Sequence, residues 1–152
     1  MIERFKKLFS QASAPAEAPS DAELRLAGAV LMVEAAHMDA DYDVTERRTI
    51  AAALRRHFRL DELETAALLD MAERVHENAT ELSRFTKTIK DRYSPEERIE
   101  MIEMLWEVVY ADGELHAYEA NLMRRLGGLL YVTDQERGDA RKRVLQRMGI
   151  TP

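Results

Sequence analysis

Cysteine is absent from the 152 residues. Disulfides, thiolate zinc sites, iron–sulfur clusters and cysteine nucleophiles are therefore excluded. Proline (4) and glycine (6) are too scarce for an all-β fold built on tight turns. A basic excess is also missing. Lys and Arg total 22 against 28 Asp and Glu, a net charge of −6, so no nucleic-acid partner is expected. The most apolar stretch, Leu24 to Val33, is short and is broken by Arg25. A membrane-spanning helix needs about 20 apolar residues, so no transmembrane segment is expected. The start, MIERFKKLFS, is too polar and too short for a secretory signal, and Ile2 after Met1 excludes myristoylation. The expected compartment is the cytoplasm. Glycine-rich phosphate loops, GxSxG elbows and HExxH motifs are all missing. No catalytic residue stands out, and an enzyme is not expected.

What is present is helical patterning. Hydrophobic residues make up 46% and charged residues 33%, a balance that suits one globular domain. Residues 1–20 read as an arm. Ile2, Phe5, Leu8 and Phe9 share one helical face beside Arg4, Lys6 and Lys7, and QASAPAEAPS follows as a linker. Residues 1–10 suit docking on the chain's own domain or a partner, with weak membrane-surface contact as the other use. Residues 21–150 form the domain. Leu24, Ala27, Leu31, Ala35 and Met38 recur at steps of three and four, as do Ile50, Ala53, Leu54 and Phe58 in the next segment. Asp61 with Glu64 and Thr133 with Glu136 are capping boxes, and Ser94-Pro95-Glu96-Glu97 is a third helix start. The broad apolar face that follows, from Ile99 to Val109, predicts a central helix. Gly127-Gly128 inside a helix predicts close packing or a kink, and Gly149 ends the last helix. Alternating strand patterns are not found. The fold class is all-α: a single bundle of about seven to eight short helices.

Shifted by 73, the halves align without a gap. Arg25 meets Arg98, Glu34 meets Glu107, Asp39 meets Asp112, Glu46 meets Glu119 and Asp61 meets Asp134. Two related helical halves are expected, each with an acidic turn after its first helix. The first turn carries Asp39, Asp41, Asp43 and Glu46, and the second Asp112, Glu114, His116 and Glu119. Carboxylates at alternate loop positions, with a Glu one helical turn further on, suit a hard divalent cation: Ca²⁺, Mg²⁺ or Mn²⁺. An EF-hand loop is not matched, because Val44 and Ile50 stand where its Gly and bidentate Glu belong. The same acids also serve as helix caps and favour the helix dipole. His116 is the weakest ligand candidate.

Ala111-Asp112-Gly113-Glu114 followed by Glu119, echoed by Met38-Asp39-Ala40-Asp41 and Glu46, resembles the TerB-like (tellurite-resistance protein B) domain over residues 21–148. The resemblance implies an all-α bundle whose paired acidic clusters bind a divalent metal, in a bacterial stress protein that is cytoplasmic or peripheral at the inner membrane. It assigns that role to Asp39, Glu46, Asp112, Glu114 and Glu119. Ala40 replaces the family's usual Gly. Related domains occur in membrane-anchored J-domain co-chaperones, but this chain has no His-Pro-Asp tripeptide.

The expected function is a non-enzymatic, cation-binding interaction module with a protein partner. One alternative is a ferritin-like di-metal carboxylate enzyme using Glu34/His37 and Glu73/His76, with Glu107 as a further carboxylate. The other is a ligand-free structural adaptor. Most of the arginine pairs and the Arg141-Lys142-Arg143 triple are expected on solvated faces beside glutamates.

Overall fold

A helix with apolar residues on every side cannot rest on a surface. α1 (Asp21–His37) is such a helix: every residue from Leu26 to Val33 is buried, and only Glu23, Arg25 and Glu34 interrupt the buried run from Ala22 to Ala36. The remaining elements are α2 (Val44–Phe58), α3 (Glu62–Asn78), α4 (Ser83–Arg92), α5 (Pro95–Val109), α6 (Ala117–Leu129) and α7 (Asp134–Met148). This computed structural model describes residues 21–37, 42, 44–79 and 81–151. Among them there are seven helices and no strand, an all-α fold as the patterning predicts. The arm and Asp39, Asp41 and Asp43 of the first acidic turn lie outside the described residues.

Two helices share the centre, not one. α5 buries Met101, Ile102, Leu105, Trp106 and Val109, as its sequence predicts. It packs against α1, α2, α6 and α7. α1 is enclosed more completely, by α2, α3, α4 and α5. Its companions need only one apolar face each. α4, for example, buries Phe85, Thr86 and Ile89 and leaves its lysines exposed or half-buried. Trp106 fastens α5 to α7 by donating its indole N–H to the Arg137 carbonyl at 3.1 Å.

The helix starts are local chemistry. Asp61, Ser94 and Thr133 each accept a hydrogen bond from the backbone of the Glu three residues on, and each Glu side chain reaches back to the cap. At Ser94 these bonds are 3.2 and 2.9 Å. Ser94→Ala should therefore cost about 1 kcal/mol in urea denaturation. An unchanged midpoint would show that Pro95 alone fixes this start.

The ends of α2 and α6 correct the gapless offset of 73. Leu60 N–H bonds to the Arg55 carbonyl, and Val132 N–H bonds to the Gly127 carbonyl. These bonds, and the caps Asp61 and Thr133 beyond them, stand 72 residues apart. α6 is also the shorter helix, with 13 residues against 15. At these turns the like positions are therefore one residue closer than the offset of 73 requires, and the cap like Asp61 is Thr133, not Asp134. The turn residues are Arg59 and Tyr131, both left-handed, with φ of 56° and 58°. Glycine is the usual choice there, and a side chain costs about 1 kcal/mol. α6 continues through Gly127 and Gly128. A Cβ on buried Gly127 would lie 3.3 Å from the Arg137 side chain, so close packing accounts for the first glycine. A Cβ on Gly128 would meet nothing within 4 Å.

Candidate functional site

The second acidic turn is built by backbone rules first. α5 stops at Val109, and Gly113 N–H returns to the Tyr110 carbonyl at 2.9 Å. Gly113 has φ of +86°, which explains glycine at this point of the turn. Asp112 Oδ1 accepts the Glu114 N–H at 3.0 Å, so its carboxylate shapes the loop. Its Oδ2 lies 3.6 Å from His116 Nε2. The His116 ring stacks on Tyr118, with planes 3° apart. His116 caps α6, and its N–H donates to Glu119 Oε1 at 2.9 Å.

Burial separates the three acids. Asp112 and Glu114 are exposed, whereas Glu119 is only 4% exposed. A buried carboxylate is rare unless it is bonded, and the cap supplies a bond. Among the described residues, no three His, Asp or Glu side chains gather where one ion could touch them all. The turn thus brings Asp112 close to His116 and fastens Glu119 at the helix foot, while Glu114 projects as an exposed neighbour.

For the first turn, the described residues supply Tyr42 and Glu46, the latter half-buried in the first turn of α2. Tyr42 stacks on His37 at 4.2 Å between ring centroids. Its hydroxyl donates to Glu73 Oε2 at 2.6 Å. Burial raises the Tyr42 phenol well above its ordinary pKa, and the bond to Glu73 adds to that. Arg47 grips Glu73 through Nε and Nη2, both at 3.2 Å, and reaches Asp70 at 2.7 Å. The hydrogen bond to Glu73 is the main reason its guanidinium pKa rises.

The two Glu-x-x-His pairs do come together. His76 Nε2 donates to Glu34 Oε1 at 2.7 Å, and the His37 and His76 rings lie 4.9 Å apart. Their chemistry differs from a di-iron centre, whose carboxylates must be free to bridge metals. Glu73 is paired with Arg47 and accepts from the Tyr42 hydroxyl, and His37 Nδ1 donates to the Val33 carbonyl. Glu107 is held by Arg56 and Arg147, each at 2.7 Å. The cluster is a polar seam fastening α1, α2 and α3. Sequence spacing picks out its Glu-x-x-His pairs but misses Tyr42 and Arg47, which lie 31 and 26 residues from Glu73.

The basic runs are mostly occupied. Arg55 faces Glu62, Arg143 and Arg147 hold Glu103, and Arg141 donates to the Tyr110 hydroxyl. No helix among the described residues is long and apolar enough to cross a membrane.

These features define a small all-helical domain with a glycine-turned acidic loop after a central helix. The model of the family described as Tellurite resistance protein TerB matches residues 25–142, most of the chain, and the protein belongs to that family. None of the curated proteins and none of the solved structures compared with it matches.

Proposed function

We propose that this TerB-family protein is a non-enzymatic stress module that binds a divalent cation at its acidic turns and presents them to a protein partner. Family membership supports the link to tellurite resistance. The observation that carries the cation reading is the second turn: a buried Glu119 with exposed Asp112 and Glu114 on the loop before it. These donors are all carboxylate oxygens, which fit a hard cation. Glu119 is fixed by its cap bond and Asp112 by the Glu114 N–H and His116, while Glu114 is exposed on the same loop. Asp39, Asp41, Asp43 and Glu46 supply the corresponding carboxylates in the first turn. A bound ion would relieve repulsion within each turn and change the surface shown to a partner. Action in the cytoplasm, or at the inner face of its membrane, completes the reading.

The test is a thermal melt in EDTA, repeated with Ca²⁺, Mg²⁺, Mn²⁺ or Zn²⁺. An ion at 100 times Kd stabilises the fold by about 2.7 kcal/mol. For a domain of this size that raises Tm by roughly 5–10 °C. The shift should vanish in a variant carrying both Asp39→Ala and Asp112→Ala. No shift with any ion at millimolar concentration would leave the turns as helix caps and favour the ligand-free adaptor.

A further inference from the structure

The second acidic turn follows the C-terminal end of the central helix α5. The other end holds a cavity of about 380 Å³, between the start of α1, the end of α2, the end of α4 and the first turns of α5. A helix rises about 1.5 Å per residue, so the 17 residues of α1 place this cavity roughly 25 Å from the far end of that helix. Small-molecule sites commonly begin near 300 Å³.

Its walls are chemically divided. Leu24 and Phe58 give an apolar surface. Beside them His57 Nε2 lies 3.0 Å from the Tyr93 hydroxyl, and Tyr93 is only 9% exposed. Burial keeps the His57 imidazole below its ordinary range, so the pair presents neutral polar groups. Arg92 and Asp21 close one edge with an ion pair at 2.6 Å.

Among the described residues, Arg25, Arg59 and Glu100 at the cavity make no hydrogen bond or ion pair, and Glu100 acts on His57 and Tyr93 only through its charge. Glu97 stands one turn before Glu100 on the same face of α5, and its Oε1 accepts the Ser94 N–H at 2.9 Å. The cations come from α1 and the turn after α2, and the carboxylates come from α5. Arg59 is also one of the two left-handed residues that are not glycine. The chain keeps a guanidinium at the cavity where backbone geometry favours glycine.

We propose that this cavity binds a small organic zwitterion with a compact apolar body. Its anionic group pairs with Arg25 and Arg59, its cationic group pairs with Glu97 and Glu100, and its body lies against Leu24 and Phe58. A simple anion would leave the two carboxylates unanswered, and a metal ion would be repelled by the arginines.

The experiment uses the full chain and three probes: 4-(aminomethyl)benzoate, benzoate and benzylamine. Binding is followed by NMR at His57, Tyr93 and the arginine side chains. The zwitterion should give saturable shifts at these groups and bind at least about tenfold more tightly than either singly charged probe. Arg59→Gly should weaken it by a similar factor while melting at the same or a higher temperature, which separates lost binding from lost folding. Glu100→Gln should weaken the zwitterion toward the affinity of benzoate and leave benzoate binding no weaker. Three results would overturn the proposal: no saturable shift at millimolar probe, equal binding of benzoate and zwitterion, or undiminished binding by Arg59→Gly.

Discussion

Leu31→Ala is expected to remove about 3–4 kcal/mol of stability and to lower Tm by roughly 10 °C. Leu31 is 0% exposed and lies at the middle of α1, which other helices cover on all sides. Its removal leaves a void that rigid neighbours fill only in part, so the cavity cost adds to the lost transfer energy. Two controls sharpen the result. Leu31→Met keeps the volume and should cost under about 1.5 kcal/mol. Leu63→Ala removes a leucine that is 73% exposed and should change stability by no more than about 0.5 kcal/mol. A loss under about 1 kcal/mol for Leu31→Ala would mean that α1 is not enclosed as described.

The second large effect lies in the seam beside the first acidic turn. Glu73→Ala should cost about 2 kcal/mol, because it removes the acceptor of the Tyr42 hydroxyl and one of the two carboxylates that hold Arg47. Glu73→Gln should recover part of this, since an amide oxygen still accepts from Tyr42. A double-mutant cycle with Tyr42→Phe in urea should show a coupling of about 1 kcal/mol. The same measurement separates a structural seam from a metal centre. A Glu73 retained for metal chemistry would be dispensable in EDTA, and full stability of Glu73→Ala there would revive the di-metal reading.

What the sequence made legible is what a few neighbouring residues decide. Ser94, Pro95 and Glu97 build a helix start with no help from the rest of the chain, and the structure has it. Periodicity likewise revealed the apolar face of α5. It was a poorer guide to α1, which is apolar on nearly every side and shows little contrast between faces. The 72-residue spacing of the two turns was invisible because helical positions match by chance at either offset, and the turn hydrogen bonds are not written in the sequence. Acidic spacing marked the second turn, but whether its side chains point inward depends on packing, which buries Glu119 and leaves Asp112 and Glu114 outside. The cavity at the opposite end joins residues as far apart as Asp21 and Glu100, and no local pattern anticipates it.

The all-round apolar character of α1 also bears on how the chain comes off the ribosome. α1 emerges before every helix that shelters it, and its last cover, α5, is complete only at Val109. Until then its leucines and valines remain open to the wrong partners, since contacts distant in sequence form late. Slow translation between Phe58 and Pro95 should therefore favour aggregation or capture by a chaperone. Fusing a solubilising domain ahead of α1 should raise the yield of folded protein without altering its final stability.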